Sequence, residues 1–255
     1  ILRILLVEPD YYSRYPPLGL LKLSSYHKAK GDTIEYLRGV AVPRRTPDLI
    51  YVTSLFTYAW KPVHDAVRFV KRLFPDVKVI LGGIYASLLP EHAKISGADE
   101  IHTGLYWPAE GYMPDYDLVP DWDGSILFAS RGCVRNCSYC SVPKLEGPPS
   151  AERQSIAELV DPRHTRVILW DNNILASSNW RAVFDDLERL GLEVDINQGL
   201  DARLVSDEVA ARIARLKMNV VRLAYDLREN GPYVKRAVER LKSVGVRSRD
   251  IIVYT

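Results

Sequence analysis

Residues 126–140 read Ile126-Leu127-Phe128-Ala129-Ser130-Arg131-Gly132-Cys133-Val134-Arg135-Asn136-Cys137-Ser138-Tyr139-Cys140. An apolar run, 126–129, leads straight into a polar loop that holds all three cysteines of the 255-residue chain. An odd number of thiols crowded into one loop is no disulfide framework. The spacing C-x-x-x-C-x-x-C makes sense where something multivalent gathers the sulfurs. A [4Fe–4S] cube offers four irons and takes Cys thiolates as its usual ligands, so three Cys leave one iron open. Zinc is the first alternative. A structural zinc site wants a closed set of four, usually a second C-x-x-C pair, and none follows; the next His after the loop is His164. Unliganded core thiols are the remaining alternative.

Downstream of the loop the sequence alternates strand and helix. Strands are expected at 166–170, 194–197, 219–225 and 251–254. Between them, Trp180, Val183, Phe184, Leu187 and Leu190 recur at helical spacing and stop at Gly191, a C-cap residue. Ser206 opens a helix carrying Val209, Ile213 and Leu216. Pro232, suited to a first turn, opens another with Val234, Val238 and Leu241. Strands separated by such helices imply a parallel sheet, which right-handed crossovers curl toward a barrel or wind open. Upstream, strands at 3–7, 33–37, 48–52, 78–81 and 99–103 alternate with helices at 18–30, around Val63, Val67, Val70 and Phe74, and at 91–95. They predict a separate five-stranded doubly wound sheet. Residues 106–124, with Pro108, Pro114 and Pro120, read as an ordered connection. The expected organisation is therefore an α/β chain with a Rossmann-like unit at 1–105, a connecting segment at 106–124 and a second parallel unit at 125–255.

Composition narrows the function classes. Hydrophobic residues make up 47% and charged residues 26%, as in soluble globular proteins and unlike disordered ones. Lys plus Arg is 34 against 32 for Asp plus Glu, a net charge of +2, which is no strong nucleic-acid signature. No apolar run reaches the roughly 18 residues of a membrane span, and no signal-peptide pattern opens the chain, so the expected compartment is the cytoplasm. The sequence starts at Ile1 without Met and stops within a strand-like run at Thr255, as a segment of a longer protein would.

The Cys loop, with Tyr139 immediately before its last Cys, resembles the cluster loop of the radical S-adenosylmethionine (SAM) superfamily. The resemblance implies a partial (β/α)6 barrel whose first strand delivers the loop. Five of the six units are visible, and the barrel is apparently truncated at its C-terminal end. It implies that Cys133, Cys137 and Cys140 hold a [4Fe–4S] cluster whose fourth iron is chelated by the amine and carboxylate of SAM. An electron, delivered from outside by a donor protein or reductant, then cleaves the sulfonium to methionine and a 5′-deoxyadenosyl radical. Ligands of parallel α/β folds sit at the C-terminal ends of strands. The expected SAM contacts are therefore Tyr139, Asp171 and Asn172 after the second strand, Asn197 and Gln198 after the third, and Arg222 and Asp226 on and after the fourth. Asn173, Gly199, Asp201 and Tyr225 lie beside them. Asp171-Asn172-Asn173 stands where the family usually has Gly-Gly-Glu. The alternative for Asp171 and Asp226 is simple capping of the turns that follow.

The first unit resembles the cobalamin-binding domains attached to such cores. Pro16-Pro17-Leu18-Gly19-Leu20-Leu21 matches the entry to their first helix. Ser54 and Gly82-Gly83 fall where that fold surrounds the nucleotide tail, glycines letting backbone approach a bulky ligand. The family's Asp-x-His-x-x-Gly loop is replaced by Glu8-Pro9-Asp10-Tyr11-Tyr12-Ser13-Arg14. Without that His, the lower face of a cobalamin is expected to be met by water or left open, with Tyr11 or Tyr12 nearby. The function implied is a radical SAM enzyme, a cobalamin-dependent methyltransferase. The alternatives are another radical SAM reaction with the first unit as a platform, or a non-enzymatic cluster-binding sensor. Sulfur-inserting relatives carry extra N-terminal cysteines for a second cluster; this chain has none there, which disfavours methylthiolation. His27, His64, His92 and His102 read as structural. The substrate is set by side chains from several strand ends and is not legible.

Overall fold

The computed structural model describes residues 1–150 and 152–254; Ala151 and Thr255, the residue at which the barrel was expected to break off, lie outside the described residues. The chain divides into two compact units, Ile1–Trp122 and Asp123–Thr255. Among the described residues no helix is long and apolar enough to cross a membrane.

The first unit runs β1 (Arg3–Glu8), α1 (Leu18–Ala29), β2 (Thr33–Arg38), β3 (Leu49–Val52), α2 (Trp60–Leu73), β4 (Lys78–Leu81), α3 (Ile84–Leu88), α4 (Pro90–Lys94) and β5 (Glu100–Ile101). All five strands are parallel, in the order β2-β1-β3-β4-β5. The order reverses between β1 and β3, which is where a doubly wound sheet opens its crevice. Successive strand residues point to opposite faces, and both faces are covered. Ile4, Leu6 and Tyr51 pack with Leu20 of α1. Leu5, Val7, Ile50, Val52, Val79 and Leu81 pack with Val63, Val67 and Val70 of α2. This accounts for the near-continuous apolar runs in these strands.

Residues 106–122 belong to this unit rather than forming a separate connection. They include α5 (Trp107–Glu110) and are fastened along α1. Asp115 accepts from Ser24 Oγ at 2.5 Å and pairs with Lys28 at 2.6 Å. Glu110 pairs with Lys22 at 3.2 Å, and Ser25 Oγ donates to the Met113 carbonyl at 2.6 Å.

The second unit runs β6 (Gly124–Leu127), α6 (Val142–Leu145), β7 (Arg166–Leu169), α7 (Trp180–Leu190), β8 (Glu193–Ile196), α8 (Asp207–Ile213), β9 (Val221–Ala224), α9 (Gly231–Ser243) and β10 (Ile251–Tyr254). Its strands are parallel and sequential, β6-β7-β8 and β9-β10, with isolated parallel bridges Glu193↔Lys217 and Leu200↔Leu223 between the two groups. No reversal occurs, so every crossover advances in one direction. Val167, Leu169, Val194, Ile196, Val221 and Leu223 pack with Val183, Phe184, Val209, Ile213, Val234 and Leu241 of the helices. The alternate positions Ile168, Asp195 and Arg222 therefore face the other side of the sheet. The end signals read from sequence are in place: α7 stops at Gly191 in the left-handed conformation, and Ser206 caps α8 by accepting from the Val209 N–H.

Candidate functional site

The site is built from the neck of the Cys loop upward. Beyond β6 the chain leaves the sheet at Ala129 and Ser130, and Asp171, just after β7, holds both. Asp171 is fully buried. Its Oδ2 accepts from the Ala129 N–H at 2.9 Å, and its Oδ1 accepts from the Ser130 N–H at 2.7 Å and the Ser130 hydroxyl at 2.8 Å. Burial pushes this carboxyl up to about 6, against the opposing pull of those hydrogen bonds. The Ala129 carbonyl accepts from the Arg153 N–H and from Asn179 Nδ2. Arg131 and Ser150 then pair antiparallel, with both N–H···O bonds at 2.9 Å. Gly132 has φ 77°, and a Cβ there would lie 2.3 Å from the Pro148 carbonyl oxygen, so the neck admits no side chain at that point. Glu146 completes the closure. Its Oε1 takes the Arg131 guanidinium at 3.0 Å, and its Oε2 takes the Gly132 N–H and the Asn172 amide, each at 2.9 Å.

Two expectations change here. Asp171, expected to meet the SAM amine, is sealed from solvent and fixes the root of the loop instead. Asn172, expected beside it, has its side-chain amide bound to Glu146. Glu146 itself went unremarked in the sequence, where nothing in its local pattern separates it from any surface acid; its partners come from two distant stretches of chain, 131–132 and 172.

Within the loop, Cys133 and Cys137 are half-buried, Cys140 is exposed, and all three thiols are free. The Arg135 N–H donates to Cys133 Sγ at 3.3 Å and the Val142 N–H to Cys140 Sγ at 3.5 Å. Unpaired thiols on one short loop, two of them already receiving backbone N–H groups, fit the donor set of an iron–sulfur cluster, whose sulfurs take such hydrogen bonds. Among the described residues no three His, Cys, Asp or Glu side chains converge as a single metal ion would require; a cube meets each thiolate at a different iron. Desolvation, and then the neighbouring Cys137 and Asp226, push the Tyr139 phenol up.

Asp201 forms a second node. Its carboxylate takes Arg203 at 2.7 Å, Arg135 at 3.2 Å and the Asn173 amide at 3.2 Å. Burial would raise this group, but Arg203 above all and then Asn173 outweigh it and hold it below the usual carboxylate range. Arg135 of the Cys loop is thereby tied to the turn after β8. A small cavity lies against Cys133, Ser130, Gly132 and Asn173, and Asn173 Oδ1 is buried with no hydrogen-bond partner. Gln198 is exposed and donates to Asn197 Oδ1 at 3.3 Å. Arg222 is paired with Asp195 across the sheet face.

In the first unit, Ser54 is buried; its hydroxyl donates to the Gly82 carbonyl at 2.7 Å and accepts from the Ala86 N–H at 3.2 Å. Gly83 has φ 103°, and a Cβ there would sit 2.1 Å from the Ser54 carbonyl oxygen. The close approach that Gly83 permits is that of the chain to itself, whereas a Cβ at Gly82 would meet only His102 at 3.7 Å. Tyr11 is a core residue, packed edge-on to Phe56, and so does not stand beside a ligand face; Tyr12 is 83% exposed. Three of these histidines have hydrogen-bond partners, His27 with Asp32 and Tyr51, and His64 and His92 through Tyr85; His102 packs edge-on to Tyr106 and its Nε2 is buried with no hydrogen-bond partner.

No family model matches the chain. The ribosomal protein uS12 methylthiotransferase RimO of Pelobacter propionicus is 35% identical over 81 residues, covering 30% of this chain and 18% of that protein. The match thus spans less than a fifth of that relative's length. The likeness supports kinship with the radical SAM superfamily and nothing finer.

Proposed function

We propose that the chain is the cluster- and SAM-binding part of a radical SAM enzyme. The observation that carries this reading is the set of three free thiols on one loop, held at its neck by Asp171 and Glu146 at the C-terminal ends of parallel strands. Cys133, Cys137 and Cys140 would ligate three irons of a [4Fe–4S] cluster and leave the fourth for SAM. When bound, the cluster supplies the electron that cleaves the sulfonium of SAM. Asn173 lines the small cavity against Cys133 and its buried Oδ1 has no hydrogen-bond partner, which makes it the acceptor assigned to the SAM ammonium in this reading. Tyr139 and Asp226, with Asn197 and Gln198 from the neighbouring strand end, offer partners for the ribose hydroxyls. Arg222 acts through its pair with Asp195, which orders the open face of the sheet. The partial barrel of the superfamily accords with the sequential strand order of the second unit.

The first unit serves in this reading as a Rossmann-like platform. Cobalamin-dependent methyl transfer is the second reading. It is favoured by the glycine pair after β4 and by the crevice between β1 and β3, and weakened because Ser54 and Gly83 are packed on each other. Methylthio transfer, the activity in the relative's name, is less favoured, because all three cysteines lie in one loop. Anaerobic reconstitution tests the proposal. About four irons per chain, a paramagnetic resonance spectrum that changes on adding SAM, and release of 5′-deoxyadenosine under strong reductant are expected. One zinc and no iron would overturn it. A corrinoid spectrum in the same sample would decide for the second reading.

A further inference from the structure

We infer that Glu146 is the positioning residue of the Cys loop, the single carboxylate that joins both ends of the loop to the segment after β7. The inference rests on the cluster reading above. Glu146 follows Cys140 at the end of α6, while Gly132 directly precedes Cys133, so the Glu146–Gly132 bond of 2.9 Å spans the cysteines. The same Oε2 receives the Asn172 amide at 2.9 Å, and Oε1 pairs with Arg131 at 3.0 Å. The two charged side chains are only 8% and 12% exposed, so the bonds are charge-assisted and poorly screened by solvent. The guanidinium also lies 3.3 Å from the Phe128 ring centroid, which fixes its orientation. Three groups from two strand ends thus converge on one acid. Moving that acid moves Cys133 relative to Cys140 and shifts Asn172 at the same time. The neck bonds run between protein groups on both sides of the cysteines, so Glu146 sets the spacing that the incoming irons meet.

Hydrogen–deuterium exchange on the metal-free full chain tests this directly. In Glu146→Ala, exchange is expected to rise about tenfold in peptides covering both 129–134 and 171–174, with β8 and β9 unchanged. After reconstitution, the variant should lose iron to a chelator about tenfold faster than the parent, and the SAM-induced change in its paramagnetic resonance spectrum should shrink. Glu146→Gln, which keeps one acceptor oxygen, should fall between the two. A purely structural effect, a buried Arg131 charge deprived of the Glu146 carboxylate, would be relieved in the double variant Arg131→Met with Glu146→Ala. Positioning predicts that exchange at 171–174 stays raised there, because the Asn172 link is still missing. Parent-like exchange at 171–174 in the double variant, or parent-like exchange and chelator loss in Glu146→Ala, overturns the inference. A parent protein that takes up no iron overturns the cluster reading instead, and the exchange data then report on the loop alone.

Discussion

Asp171 holds Ser130 twice, through the backbone N–H at 2.7 Å and the hydroxyl at 2.8 Å. Ser130 lies three residues before the first cysteine, so a side chain behind β7 determines where the Cys loop departs from β6. Asp171→Asn should preserve shape but replace an acceptor with an amide N–H₂ facing buried donors. We expect a loss of about 1–3 kcal/mol from the second unit, read by denaturant unfolding of the metal-free chain. Asp226→Ala, at an exposed position, should leave that transition unchanged. Equal stability of the two variants would show that the Asp171 bonds do not hold the loop.

Two acids in the second unit give opposite pH slopes. The Asp171 carboxyl is raised by burial to about 6, so its folded form holds a proton that the unfolded chain has released. Its effect is a stability that falls as pH rises from about 4 to 6. Asp161 is lowered to about 2, chiefly by its hydrogen bond to Arg163, and its contribution is complete above about 4 and lost as pH falls toward 2. Stability curves between pH 2 and 7 should become flatter at the upper end in Asp171→Asn and flatter at the lower end in Arg163→Leu, where other lowered carboxylates such as Asp48 and Asp201 keep part of the slope.

Gly83→Ala should destabilise the first unit by about 3 kcal/mol or more, because a positive φ and a collision with the Ser54 backbone act together. The loss should appear with no ligand present, in the unfolding transition of that unit. Tyr12→Ala, at a surface position, is the variant to use when probing a corrinoid. A Gly83→Ala protein of parental stability would mean that the glycine has room to spare.

Tyr139→Phe removes the phenol oxygen near Cys137 and Asp226 and leaves an exposed ring in place. Iron content after reconstitution should equal the parent's, while SAM affinity drops about 2- to 10-fold, the worth of one hydrogen bond. A resonance titration with SAM measures this. A variant that fails to hold iron would give Tyr139 a role in the cluster site itself.

The alternation of elements was legible because helices and strands of this length imprint their period on the residues they bury. The Cys loop was legible from spacing alone. The job of Asp171 was not: its partners lie 41 and 42 positions away in sequence, and a carboxylate after a strand reads equally well as a ligand contact. Tyr11 was misjudged because alternation stops at the strand end, where nothing local says whether a ring turns inward. Residues 106–122 looked like a connection because prolines break any period. Their fastening to α1 runs through contacts such as Ser24 with Asp115, 91 residues apart. The short helices α3, α5 and α6 have too few turns to show a period at all.

The antiparallel pairing of Arg131 with Ser150, closed over a glycine with no room for a side chain, makes the cysteine segment a cassette. What lies between Gly132 and Glu146 can be lengthened, shortened or exchanged without disturbing the sheet, provided the Arg131–Ser150 bridge and the bonds to Glu146 are kept. A transplant of 129–150 into another parallel sheet would need recipient side chains equivalent to Asp171, Asn172, Asn179 and Asp201.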